Sequence, residues 1–320
     1  MGVTLLFPGQ GAQYVGMGKS LLDFPESKNI FDKADEALGF KISNLCFEGP
    51  VEDLKLTENT QPAIVTHSIA LYEKLKTILS DKNISIDRVL GHSVGEYSAL
   101  VAAGSISLED AVLAVKSRGK YMQDATPEGV GKMFAIMRVP SEIVAKACEL
   151  SSLEDNKVMA ANFNDPTQTV ISGHAEACDR AIAWITENFE GRNRAIELKV
   201  SAPFHSSLMK TAEQKLNTFF NSISIKENEI PYIANINTEE YAIGTKGSII
   251  RENLENQVCG SVLWSQSISK LCDKDIFIEV GPGKVLTGLN KKINKEFKTY
   301  SLDSDLGFEG LVEFLNECTK

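Results

Sequence analysis

Residues 90–96 read LGHSVGE, which sets Ser93 between two glycines in the pattern Gly91-x-Ser93-x-Gly95. A serine hydroxyl attacks a carbonyl only when a nearby base takes its proton. The segment follows a strand-like stretch and opens a helix, the setting of a nucleophile elbow. Its glycines permit a sharp turn, and the helix N-terminus offers free backbone N–H groups to a developing oxyanion. The same pattern also suits a small serine in a tight turn without chemistry, so both readings stand at this point. Four histidines are available as the base. His92 adjoins Ser93, and because neighbouring side chains diverge at such a turn it is expected to pack or hydrogen-bond below the site. His67 falls within a predicted helix as a satisfied buried histidine, and His174 begins another helix. His205, in SAPFHSS, follows a strand on a loop, where functional groups concentrate on rigid scaffolds. The order Ser then His is also the hydrolase-type order, and His205 is the best candidate.

Arg118 bears on which acyl group such a serine would carry. The helix opened at Ser107 has Leu108, Ala111, Val112, Val115 and Met122 as its apolar positions, and three-four spacing from Val115 lands on Arg118 and Gly119. Arg118 therefore points to the core side. It either snorkels or pairs with an internal carboxylate, or it grips a planar anion through two parallel hydrogen bonds. A pocket for a neutral ester has no use for such a group, whereas a pocket for an acyl chain ending in a free carboxylate does. Met122, one turn further on, is grouped with Arg118 as substrate-binding.

The elements that must position these residues read as α/β. A buried strand over 3–7 runs into the glycine-rich PGQGAQ, and a helix over 59–75 carries Pro62 near its start. A short strand over 88–90 leads to the serine. A small helix over 94–103 stops at Gly104, and Ser107 with Asp110 forms a capping box for the next helix. Strands over 133–137, 158–162, 168–172 and 195–200 alternate with helices over 141–150 and 175–186, and 164–166 turns the middle pair into a hairpin. Strand-helix-strand-strand-helix-strand is the order of a ferredoxin-like unit. Residues 126–198 are therefore expected to form an inserted subdomain within a larger α/β domain of residues 1–125 plus 199–320. A last buried strand covers 276–280.

The 320 residues are 43% hydrophobic with a net charge of −10, which argues against a general nucleic-acid binder. The six cysteines show no C-x-x-C pair, so no metal site or redox motif is expected, and reduced, buried thiols are. The N-terminus lacks a basic region, Leu6 stands where a myristoylation signal has Ser or Thr, and no apolar run approaches the ~18 residues of a membrane span. A cytoplasmic chain without membrane contact is the expectation.

Six segments carry a resemblance: FPGQGAQ (7–13), GHSVGEYSALVAAG (91–104), RGKYMQ (118–123), NFNDPTQTVISG (162–173), SAPFHSS (201–207) and IEVGPGKVL (278–286). In this order they resemble malonyl-CoA:acyl-carrier-protein transacylases over nearly the whole chain. The resemblance implies an α/β-hydrolase-like core with an inserted ferredoxin-like subdomain. It implies Ser93 as nucleophile, His205 as general base, Arg118 as the malonyl-carboxylate ligand, and the N–H groups of Gln10 and Val94 as the oxyanion hole. Gln257 matches a glutamine whose backbone carbonyl orients the histidine, and Phe204 resembles malonyl-preferring members. No metal or cofactor is implied, and the partners would be malonyl-CoA and acyl carrier protein, with the enzyme a monomer. Such carriers are acidic, so a basic docking patch is expected from Lys284, Lys291 and Lys292, or from Arg192, Arg194 and Lys199. A serine hydrolase, a non-catalytic carrier-binding protein and an acyltransferase of polyketide synthesis are the rival readings.

Overall fold

Among the described residues of this computed structural model, which are 2–272, 275–304 and 306–318, ten strands fall into two sheets. The remaining residues of the expected 1–125 plus 199–320 domain, including Met1 of the myristoylation reading, lie outside the described residues. In chain order the strands are β1 (Gly2–Phe7), β2 (Ser85–Gly91), β3 (Gly131–Met137), β4 (Val158–Asp165), β5 (Gln168–His174), β6 (Arg194–Glu197), β7 (Tyr232–Ile233), β8 (Glu240–Tyr241), β9 (Ile276–Val280) and β10 (Lys298–Leu302).

The larger sheet has the order β10-β9-β1-β2-β7-β8, parallel throughout except for the β7–β8 pair. Val3, Leu5, Leu6 and Phe7 of β1 are fully buried, as expected of a parallel strand covered by helices on both faces. Phe7 pairs with Gly91, so the chain leaves β1 and β2 side by side at their C-terminal ends, the edge where open α/β sheets bind ligands. The helix Thr57–Asp81 packs against the helix Leu108–Gln123. Ser107 caps the latter, its hydroxyl accepting from the Asp110 N–H at 3.0 Å.

The smaller sheet is antiparallel, in the order β4-β5-β3-β6. Helices Ser141–Ser151 and Ala175–Asn188 pack together, and Val144, Ala147, Ala177 and Ile185 join Phe134, Ile136 and Ile171 in a separate apolar cluster. The fold class is α/β, as the sequence reading has it.

Local differences have physical causes. The helix expected to open at 59 starts at Thr57, so Pro62 sits inside it rather than at its start. The strand expected to reach 200 ends at Glu197; the Leu198 N–H still donates to the Met133 carbonyl at 2.9 Å, and Leu198 and Val200 line a cavity. All six cysteines are unpaired, but only Cys46, Cys148 and Cys178 are buried, and Cys272 is exposed. His67 is buried but not satisfied: neither ring nitrogen has a partner among the described residues, and burial lowers its pKa to about 3.

Candidate active site

The loop after β2 turns sharply into the helix Gly95–Ala102. A Cβ on Gly91 would lie 2.0 Å from the carbonyl of Gly95, and one on Gly95 would lie 2.1 Å from the carbonyl oxygen of Phe7. Both contacts are with backbone, so the glycines are steric necessities of the turn. Ser93 sits at φ 52°, a left-handed conformation that costs a non-glycine residue about 1–2 kcal/mol. Asn235 holds it there, accepting from the Ser93 N–H at 2.7 Å and donating to the Gly91 carbonyl at 2.6 Å.

His205, also at positive φ (55°), brings Nε2 to 2.7 Å from Ser93 Oγ. Its Nδ1 lies 2.9 Å from the Gln257 carbonyl and 3.1 Å from that of Gly260. Both are acceptors only, so Nδ1 carries the proton and Nε2 presents a lone pair to the serine. Burial, with the Arg118 charge second, lowers the histidine pKa to about 3 and keeps the ring neutral near pH 7.

Arg118 is 2% exposed. Its Nη1 donates to Gln61 Oε1 at 2.9 Å, and its Nη2 donates to Ser93 Oγ at 3.1 Å and Gln257 Oε1 at 2.9 Å. These acceptors are neutral. Among the described residues no carboxylate pairs with the guanidinium, and Nε has no partner. Desolvation lowers the arginine pKa, although guanidinium remains charged.

Ser93, His205 and Arg118 line a cavity of about 110 Å³ with Gln10, Val94, Met122 and Phe204. Met133, Leu198 and Val200 add apolar walls from β3 and the chain after β6. Gln10 follows β1, Val94 opens the elbow helix, and among the described residues neither backbone N–H has a partner. Two donors beside a serine with a bare imidazole nitrogen are the parts that acyl transfer needs. The chain matches the acyl transferase domain family over residues 4–303.

It belongs to that family.

This acyl transferase is 44% identical over 318 residues to the malonyl CoA-acyl carrier protein transacylase of Bacillus subtilis (strain 168), with 98% of each chain covered. The crystal structure of the malonyl CoA-acyl carrier protein transacylase from Clostridium perfringens is similar at TM-score 0.90 and 42% identity, covering 99% of this chain and 98% of that one. A malonyl-transacylase in complex with its type II PKS acyl-carrier protein is similar at TM-score 0.89 and 33% identity, with 98% and 99% covered.

Every residue singled out from the sequence for the site therefore lies at the cavity, except Gln257, which is fully buried behind Arg118 and His205. His92 is on the cavity wall, its Nε2 bonded to Asn164 Oδ1 at 2.8 Å. His174 instead occupies the position before the helix Ala175–Asn188, its Nδ1 accepting from the Lys157 N–H at 3.0 Å rather than capping the helix. Other residues of the site escaped the sequence reading, among them Gly260, whose carbonyl lies beside His205, and the apolar wall residues. Gln61 and Asn235 hold the guanidinium and the turn, Asn162 lines the cavity, and Glu96 is a buried carboxylate behind Gln257. Only Glu96 left a signal, as a charge within the otherwise apolar elbow helix.

Proposed function

We propose that this protein transfers a malonyl group from malonyl-CoA to the phosphopantetheine thiol of acyl carrier protein, through a malonyl-Ser93 intermediate, to supply fatty-acid synthesis. The observation that carries the reading is the buried Arg118, which touches Ser93 Oγ yet has no carboxylate partner among the described residues. A guanidinium so placed fits the free carboxylate of a three-carbon diacid folded back toward the ester.

In this mechanism the malonyl carboxylate takes up Arg118 and draws it from Ser93 Oγ. His205 Nε2 accepts the serine proton as Oγ attacks the thioester carbonyl. The oxyanion is held by the N–H groups of Gln10 and Val94, and the imidazolium by the carbonyls of Gln257 and Gly260. His205 then protonates the departing CoA sulfur. The carrier thiol enters and reverses the steps. Acyl exchange between a serine and two thiols draws on side chains and backbone alone. Phe204 and Met122 shape the acyl pocket, and their burial beside Arg118 supports this.

We divide the chain into a catalytic domain of residues 1–125 plus 199–320 and an inserted ferredoxin-like subdomain of residues 126–198. The separate apolar cluster of the antiparallel sheet supports the division. For the carrier we favour Lys284 and Lys291, both exposed, over Lys292, whose ammonium is 3.1 Å from the buried Asp165 carboxylate. A cytoplasmic monomer that binds neither nucleic acid nor membrane completes the proposal, the first of these exclusions resting on the net charge of −10.

Intact-mass measurement after mixing with malonyl-CoA tests the reading. The expected result is one malonyl adduct, absent in Ser93→Ala and discharged by a holo carrier faster than by water. Rapid hydrolysis that ignores the carrier would overturn it in favour of a hydrolase.

A further inference from the structure

Behind Gln257 lies a second charge. The amide Nε2 donates to Glu96 Oε2 at 2.6 Å while the amide Oε1 accepts from Arg118 Nη2 at 2.9 Å. Glu96 is 1% exposed, its Oε2 also accepts from the Asn235 N–H at 3.3 Å, and its Oε1 has no partner. The amide has only one workable orientation here. Reversed, it would set donors against the guanidinium and an acceptor against the carboxylate. Arginine, amide and carboxylate thus form a hydrogen-bonded chain from positive to negative group.

We propose that Glu96 is the indirect counter-ion of Arg118, acting through the Gln257 side chain, so that the buried guanidinium is balanced while no carboxylate of the protein occupies its substrate face. A carboxylate bonded directly to Arg118 would compete with the malonyl group for the same donors. With no carboxylate, the guanidinium would hold malonate more tightly than turnover needs. One amide of separation lies between these extremes. Glu96 is accordingly a positioning and tuning residue and touches no reacting atom.

The inference rests on the transacylase reading. The charged and titratable groups around Glu96 are Arg118 from the helix Leu108–Gln123, Tyr97 from its own helix and Tyr232 from β7, with His205 beyond Gln257. Both tyrosine pKa values are pushed up by burial, and His205 is near 3, so none of these changes charge between pH 6 and pH 8. Glu96 itself is raised to about 7 by burial, against the pull of Gln257, Asn235 and Arg118. Above that pH it is ionised and weakens malonyl binding; below it the carboxyl is neutral and binding tightens.

The experiment is rapid-mixing labelling of Ser93 by malonyl-CoA and by acetyl-CoA, at pH 8 and pH 6, in wild type and Glu96→Gln. Gln can keep an acceptor toward Gln257 while removing the charge. At pH 8, E96Q should lower the apparent dissociation constant for malonyl-CoA on the order of tenfold, taking an effective dielectric of ~20. That for acetyl-CoA, which carries the same CoA phosphates and no acyl carboxylate, should move less than about twofold. Wild type at pH 6 should approach E96Q, an arm that needs no variant to fold. Unchanged or weaker malonyl binding in E96Q, a parallel acetyl shift, or a pH response retained in E96Q would each overturn the proposal. Failure of wild type to label with malonyl-CoA would instead defeat the transacylase reading.

Discussion

Arg118→Ala separates the carboxylate contact from the rest of the chemistry. The side chain is 2% exposed, so the ion pair it would form with malonate is desolvated, and losing one partner of such a pair costs about 3–5 kcal/mol. At 1.4 kcal/mol per decade, kcat/KM for malonyl-CoA should fall by about two to three and a half powers of ten. Acetyl-CoA has no group for the guanidinium, and the His205 to Ser93 contact does not pass through Arg118. Its kcat/KM should therefore stay within about fivefold, the allowance for losing the Nη2 contact to Ser93 Oγ and leaving Gln61 Oε1 and Gln257 Oε1 short of a donor. The assay is thioester exchange to a holo carrier, with both acyl-CoAs as competitors in one mixture so that the ratio is read directly. Equal losses for both substrates would refute the assignment, because the arginine would then be supporting the serine rather than selecting the acid.

Acetylation of Ser93 should be flat from pH 8 to pH 5, since the His205 pKa near 3 leaves the base neutral throughout. In Arg118→Ala the acid limb should move upward, because one of the charges depressing that pKa is gone. A pH profile of labelling in both proteins checks this. Gly91→Ala should cost about 3 kcal/mol or more, as its new methyl meets backbone at 2.0 Å, read from a denaturant midpoint. His67→Leu should stabilise the protein by about 1–3 kcal/mol by removing two unpartnered buried nitrogens. It should also blunt acid unfolding. The unfolded imidazole takes up a proton below pH 6.5 and the folded one only near 3, so wild type loses stability across that window. Thermal melts at pH 7 and pH 5 decide both points. Lys284→Glu with Lys291→Glu should slow transfer to the carrier several-fold at low salt and leave malonylation of Ser93 by malonyl-CoA unchanged, in a two-step assay that separates the half-reactions.

Much of this arrangement was legible because it is local. The glycine spacing announced the turn at Ser93, and a three-four count put Arg118 on the buried side of its helix. His205 was reached by eliminating three other histidines, although 112 residues separate it from the serine. Residues that act only through side-chain hydrogen bonds across the sheet left no such trace. Asn235 lies 142 residues from the Ser93 N–H that it holds, after a two-residue strand too short to show a period. Gln61 is one polar position in a helix buried nearly all round, where the apolar stripe that would mark a face does not exist. The same absence of contrast hid the true start of that helix ahead of Pro62.

The site also contains a buried carboxylate, yet Glu96 is not bonded to the histidine. His205 Nδ1 faces two neutral carbonyls, while Glu96 faces the amide that reaches Arg118. An imidazolium held by carbonyl dipoles is less stabilised than one held by an anion, so His205 is the weaker base of the two cases. A water attacking malonyl-Ser93 must surrender a proton far more tightly held than that of a thiol, whose pKa is near 8.5. Weakening the base therefore slows hydrolysis more than thiolysis. In the relay we propose, the buried Glu96 carboxylate instead faces the arginine through the Gln257 amide, where it tunes the affinity for a carboxylate. Both choices favour an acyl-enzyme that outlasts the interval between CoA leaving and the carrier arriving.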